Sequence, residues 1–372
     1  WMEQRPHVSW LPSGASAPFG ESNPWRFLLV AFSTWLLICS LWIGLTRRSS
    51  LRTLLVVLVL NAALLAVIGI LQRTAGNGKI LWLITPSTHY HVATFLYKNH
   101  AGAFFNLLLA AAVATATWYH RRSERRLERA SPAPVFLLCG VALALIVALS
   151  FSRAATVLML GFIGLSFVLG VIFLLKSARR PSPLSVGLAT AAIALLGFVS
   201  VHQLNLGSAA DQFQKLFTTD RAASIELRQV AAQATREMAA GQPFTGWGAG
   251  CFRFLFPLYQ QHHPEIYIPA WNDDRMFYFE HAHNDYLELL AELGYLGCAP
   301  LVMLLALWIA KLIRGRVWQN PAASLLVVGL LGLLAHCWID FHLRCPAILM
   351  TAAALAVVTV RWTDLESKRR AR

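Results

Sequence analysis

Charge is scarce in this 372-residue chain: 13% of residues are Asp, Glu, Lys or Arg and 57% are hydrophobic, where soluble domains carry about 25% charge. That balance excludes an ordinary soluble domain. Acidic residues are the scarcer sign, 18 against 32 Lys and Arg. The six cysteines, Cys39, Cys139, Cys251, Cys298, Cys337 and Cys345, show no CxxC or other ligand spacing. They read as small core residues, not as metal ligands or disulfide partners. No HExxH motif is present. No small-residue cleavage site follows the first apolar run, which therefore does not read as a removable signal peptide. Because Trp1 opens a stretch placed on the outer face, further spans are expected upstream.

Long apolar runs dominate instead. A bilayer crossing takes about 20 residues, and nine segments qualify, near 27–45, 53–72, 101–118, 134–151, 154–175, 184–201, 295–310, 321–339 and 345–360. The fold class expected is an all-α integral membrane protein, a nine-span helical bundle with a long helical loop domain before the last three spans. Its expected parts are an external N-terminal loop (1–25), a six-span membrane part (26–201), the loop domain (202–294), the last three spans (295–360) and a basic tail (361–372).

The net charge of +14 raises nucleic acid as a partner, and its placement excludes it. Basic clusters at 47–52, 121–129, 176–180, 311–316 and 361–372 fall on alternate sides of successive spans, hence on one membrane face. The positive-inside rule makes that face cytoplasmic. The 202–294 segment falls opposite, with eleven acidic residues against six Lys or Arg. No continuous basic patch remains for a nucleic acid.

Polar residues mark the outer edges. In the loop 72–100, His89 and His91 read as solvated, while Lys98, at the entry to the third span, either snorkels to the interface or faces a ligand. Arg153 sits in a connection of four residues, Ser150 to Arg153, so an outward cation is held beside hydrocarbon. Such a cation is costly unless paired. It faces a cavity and an anion, or it snorkels. In the loop domain a helix over about 208–240 carries Arg221, Arg228 and Arg236, and ends at Gly241 and Pro243. The glycine-dense turn 243–250 follows, where backbone amides can approach a ligand. The aromatics of 251–280 suit sugar rings, a membrane interface or simple packing. Near the end, Asp340 and Arg344 are expected to pair with each other.

Polar chemistry is densest in HAHNDYLELLAELGYLG, residues 281–297. Asp285 and Glu288 read as a capping box that starts a helix. Glu288 and Glu292, four apart, share one helical face. Gly294 and Gly297 allow close backbone approach. His283 and Asn284 precede the first turn, where free N–H groups favour an anion. His281 and His283 would share a side only in an extended segment, so one is expected to face away.

In His283-Asn284 followed by Gly294-x-x-Gly297, in YKNHAGAF at 97–104, in FSRAA at 151–155 and in LRQVAAQATREMAAGQPFTGWGAGCF at 227–252, the chain resembles the O-antigen ligase and polymerase family of bacterial membrane glycosyltransferases. The likeness covers roughly residues 97–360 and is closest to the ligases. It implies transfer of a glycan from undecaprenyl diphosphate to a hydroxyl of lipid A-core, at the periplasmic face of the bacterial inner membrane, inverting and with no metal or other cofactor. The motif histidine falls on His283 and the motif arginines on Arg153 and Arg228, with Arg221 as runner-up on the same helix. Lys98 stands where many relatives have arginine. The substrate-binding set is then Arg153, Arg228, Arg221, Lys98, His281 and Asn284.

Elementary chemistry fits these roles. Fixed guanidinium groups stabilise the charge that develops on a departing diphosphate. A neutral imidazole can take the proton of an attacking hydroxyl, so His283 is either that base or a diphosphate ligand. O-antigen polymerases and protein O-oligosaccharyltransferases share the motifs. Rival classes are a lipid-linked glycan transporter, disfavoured because no inverted repeat is visible, a metal site built on His281 and His283, and a cysteine peptidase.

Overall fold

The structure, a computed structural model, describes residues 24–370 apart from 77, 86–90, 129, 176–219, 267, 271–272 and 278. The N-terminal loop to residue 23, His89, the basic cluster 176–180, the span expected at 184–201 and the start of the helix expected from 208 lie outside the described residues.

Ten α-helices occur among the described residues: α1 Pro24–Gly44, α2 Arg48–Ala75, α3 Lys98–Arg126, α4 Ala133–Leu149, α5 Arg153–Leu175, α6 Asp220–Gly241, α7 Phe252–Gln260, α8 Asp285–Arg314, α9 Pro321–Cys337 and α10 Pro346–Arg370. They occupy eight of the nine segments read as spans. Of these, α1, α2, α3, α8 and α10 are long and apolar enough to cross a bilayer, and α4, α5 and α9 are apolar too. The chain is a multi-pass, all-α membrane protein. One short antiparallel pair, β1 Ile268–Ala270 and β2 Asp273–Phe277, interrupts the helical pattern. Proline opens α1, α9 and α10, where its missing N–H costs nothing. Asn320 caps α9 by accepting the Ala323 N–H at 3.2 Å.

The chain divides into two compact units. One comprises Ser40–Ala210, Lys311–His336 and Met350–Arg372. Its most buried helix is α3, whose small residues Ala101, Ala103, Ala110, Ala111, Ala112 and Ala114 are all inaccessible. Small side chains let helices approach closely where no hydrophobic effect drives them together. A Cβ on Gly329 of α9 would stand 2.4 Å from that of Ala110, so this crossing requires glycine.

At one end of this unit the basic clusters meet aromatic rings. Arg52 and Arg122 lie over Trp118, at 5.9 and 5.4 Å from the ring centroid, and Lys311 and Arg361 lie over Trp42, at 5.3 and 5.2 Å. Arg48 donates to the Leu365 carbonyl and Arg361 to that of Leu45. The clusters at 47–52, 121–126, 311–316 and 361–370 therefore share one end, as their alternation predicts.

The other unit comprises Trp1–Cys39, Asp211–Ala310 and Cys337–Leu349. Its core joins Ala231, Ala234 and Met238 of α6 to Phe252 and Phe256 of α7, Ile266, Ala282 and Ala291. Phe252 and Phe256 stack at 4.6 Å, and the Trp247 indole N–H donates to the Met238 carbonyl at 2.6 Å. Phe252, Phe254 and Phe256 are thus packing residues. Tyr267, Trp271 and Tyr278 lie outside the described residues.

Candidate active site

The turn that carries His283 is held from both sides by polar contacts. Asn284, not Asp285, caps α8: its Oδ1 accepts the Tyr286 and Leu287 N–H groups, both at 3.1 Å. This corrects the capping box by one residue. Asp285 is the first helical residue and is fully buried, because its carboxylate accepts the Leu343 N–H at 2.9 Å from the loop after α9. Glu288, one position beyond the box, still reaches back and accepts the Ala282 N–H at 2.8 Å. Asn284 is buried in its capping role.

His283 has φ +49°, a conformation that histidine tolerates better than branched residues do. The twist overturns the expectation that His281 and His283 point apart. Both rings pack on Phe341, His281 stacked at 4.3 Å and His283 edge-on at 5.0 Å. Their partners differ: His281 Nδ1 is 2.9 Å from Glu288 Oε1, and His283 Nδ1 is 3.1 Å from Asp340 Oδ1. Asp340 is 1% exposed and also accepts the Phe341 N–H at 3.0 Å. With Nδ1–H donating to Asp340, Nε2 of His283 carries the lone pair. The ring is 22% exposed, so solvent or a substrate reaches it.

Arg228 of α6 donates from Nη1 to the Ile339 carbonyl at 3.5 Å, one residue before Asp340. The loop between α9 and α10 thus contacts both His283 and Arg228. The backbone of Arg221 lies in α6, and its side chain is outside what the structure describes.

Asp340 and Arg344 do not pair, contrary to the sequence expectation. Asp340 precedes the short 3-10 turn His342–Arg344 and Arg344 ends it, so no α-helical turn brings their side chains together. Arg344 instead places Nε 3.0 Å from Glu288 Oε1 and Nη2 2.8 Å from Glu292 Oε2. Both carboxylates are 1% exposed. Burial opposes the charge on Arg344, but Glu288 and Glu292 outweigh it and hold the guanidinium above its ordinary pKa. The shared face of Glu288 and Glu292 was legible from their spacing. The cation between them was not.

The glycine-dense turn is committed to the protein and not to a ligand. Helix α8 breaks at Gly294 (φ 60°, ψ −173°). Across the break, the Ala291 and Glu292 carbonyls accept the N–H groups of Trp247 and Gly248 at 3.0 and 2.9 Å, while Tyr295 and Leu296 donate to the Pro243 and Phe244 carbonyls at 2.8 and 3.0 Å. A Cβ on Gly246 would meet the Glu292 oxygen at 2.3 Å, and one on Gly294 the Phe244 oxygen at 2.4 Å. Four backbone groups that the break leaves without helical partners are therefore satisfied by the 243–248 segment.

Two of the expected site cations lie in the other unit. Lys98 is the first residue of α3 and Arg153 the first of α5. These helix starts pack together: Asn106 donates to the Ala155 carbonyl at 2.7 Å, and a Cβ on Gly102 would stand 2.4 Å from that of Ala155. Two cations and two positive helix ends are thus gathered at one end of this unit, which favours an anion. A mostly apolar cleft, lined among others by Asn106, Leu158, Phe162, Gly332 and His336, lies between α3, α5 and α9. Gly102→Ala is expected to destabilise the fold by about 1–3 kcal/mol through overpacking. Adding Ala155→Gly should recover most of the loss, which thermal unfolding of both single variants and the pair would show.

Among the described residues no three His, Cys, Asp or Glu side chains are grouped as metal ligands are. Cys251 lacks the character of a nucleophile, since burial, with Glu292 nearby, pushes its thiol up to about 11.

Fold and site together define a multi-pass membrane protein with a carboxylate-oriented histidine and an arginine held against one loop. Residues 138–302 match the family model for O-antigen ligase, so the chain carries an O-antigen ligase family domain. That stretch contains Arg153, Arg221, Arg228, His281, His283 and Asn284, and it excludes Lys98, Asp340 and Arg344. The match supports, in general terms, a membrane glycosyltransferase of the O-antigen ligase or polymerase type. No curated protein matches the chain.

Proposed function

We propose that the protein joins a glycan carried on undecaprenyl diphosphate to a hydroxyl of lipid A-core, at the periplasmic face of the bacterial inner membrane. The observation that carries this reading is the His283–Asp340 pair, with Arg228 on the adjoining residue, inside and beside the O-antigen ligase domain. Gathering of the basic clusters at one end of a unit supports a cytoplasmic face there.

The step is a single displacement. The acceptor oxygen attacks the anomeric carbon while the bond to the diphosphate oxygen breaks, inverting the centre. The acceptor proton passes to Nε2 of His283, and Asp340 stabilises the imidazolium that forms. Negative charge grows on the departing diphosphate, where Arg228 is assigned, with Arg221 on the same helix as a further cation. Imidazole and guanidinium supply this chemistry without a metal.

The test is the purified protein in bilayers with undecaprenyl diphosphate glycan and lipopolysaccharide lacking O-antigen. Glycan appearing on lipid A-core supports the reading. Lengthening of the glycan on undecaprenol would replace it with a polymerase, glycan on added protein with a protein transferase, and glycan movement without transfer with a transporter.

A further inference from the structure

Arg344 lies outside the matched residues 138–302, yet it holds the centre of the buried polar network. Each carboxylate it binds also grips one backbone N–H from a separate loop. Glu288 Oε2 holds Ala282, the residue before His283, at 2.8 Å. Glu292 Oε1 holds Phe252, the first residue of α7 just past the glycine-dense turn, at 3.1 Å. Arg344 is itself fixed: the preceding N–H, of Leu343, is bound by Asp285, and the Phe27 ring lies 5.6 Å from its guanidinium.

We propose that Arg344 is a positioning residue for glycan transfer: by clamping Glu288 and Glu292 together it sets where the His283 turn stands relative to the Phe252 turn. The catalytic part of this inference rests on the transferase reading above. Two carboxylates one helical turn apart, both buried, repel unless a cation lies between them. The planar guanidinium donates from Nη2 to Glu292 and lies with its Nε edge 3.0 Å from Glu288, an ion pair whose angle makes no hydrogen bond. A lysine ammonium keeps the charge but offers a single point, so it cannot hold both carboxylates in these directions. When the clamp slackens, Ala282 is released first, and with it the backbone that keeps His283 at positive φ.

The experiment compares full-length wild type with Arg344→Lys in bilayers by hydrogen exchange and by steady-state transfer. Exchange is expected to rise about tenfold in the segments around Ala282 and Phe252, with little change elsewhere and an unfolding temperature near wild type. In the transfer assay kcat should fall about tenfold or more while KM for the donor stays within about threefold. Unchanged exchange in both segments, or kcat within about twofold of wild type, would overturn the proposal. Should Arg344→Lys fail to fold, Glu288→Gln and Glu292→Gln take its place. Each must loosen its own loop, Ala282 for the first and Phe252 for the second, and exchange rising equally everywhere would mean a merely structural role. If wild type transfers no glycan, the functional reading falls, while the exchange result still decides whether Arg344 positions the turn.

Discussion

His283→Ala is expected to slow glycan transfer by about 10²–10⁴-fold, the usual contribution of a positioned general base. The loss should fall on kcat, because the imidazole takes its proton only as the acceptor bond forms. The protein should remain folded, since His283 is partly exposed and the buried grips on its turn run through Glu288, Asp285 and the Asn284 cap. Asp340→Asn should give a smaller but substantial loss. An amide in that place can still accept from Nδ1–H but no longer balances the charge of the imidazolium. Initial rates at saturating donor, with the folded fraction measured on the same sample, check both. A wild-type rate in His283→Ala would remove the base from the mechanism.

Gly294→Ala should have the largest effect on folding, a destabilisation of more than about 3 kcal/mol. Two causes add. The residue sits at φ 60° with extended ψ, a region closed to side chains, and its Cβ would stand 2.4 Å from the Phe244 carbonyl oxygen. Relief requires the 243–248 segment to withdraw, breaking four backbone hydrogen bonds that satisfy the interrupted helix. Gly246→Ala should behave alike, because the contact is mutual, with its Cβ 2.3 Å from the Glu292 oxygen. Gly297→Ala should be milder but not neutral, since there the Cβ would meet no backbone atom but would stand 2.8 Å from the Leu293 Cβ. The yield of folded protein and the unfolding temperature of the three variants would show the order. Gly294→Ala unfolding at the wild-type temperature would mean that the strap is not essential.

Much of the fold was legible because bilayer crossing imposes a length and a composition that a sequence cannot hide. The helices α1, α4, α5 and α9 begin and end near the limits that hydropathy suggests, while α3 runs eight residues past its apolar stretch into the basic cluster. The helical face shared by Glu288 and Glu292 followed from periodicity, and the need for a close backbone at Gly294 from its lack of a side chain. What failed was long-range pairing. Asp340 and Arg344 lie four apart and carry opposite charges, so a local rule joined them. Their true partners are 57, 56 and 52 residues away, at His283, Glu288 and Glu292. The glycine-dense turn looks open to a ligand in the sequence, because nothing local shows that a helix break in α8 takes the Trp247 and Gly248 amides. The expectation that His281 and His283 point apart assumes that only an extended segment puts them on one side, and the positive φ of His283 brings both rings onto Phe341 by another route.

The coupling between His283 and Asp340 is the most direct test of the account. Single-turnover transfer from undecaprenyl diphosphate glycan should be measured for His283→Ala, Asp340→Asn and the double variant. If Asp340 acts through the imidazole, the double variant will be no slower than His283→Ala alone. If the two losses instead multiply, or if Asp340→Asn transfers glycan at the wild-type rate, Asp340 does not orient His283 for catalysis and the proposed mechanism is contradicted.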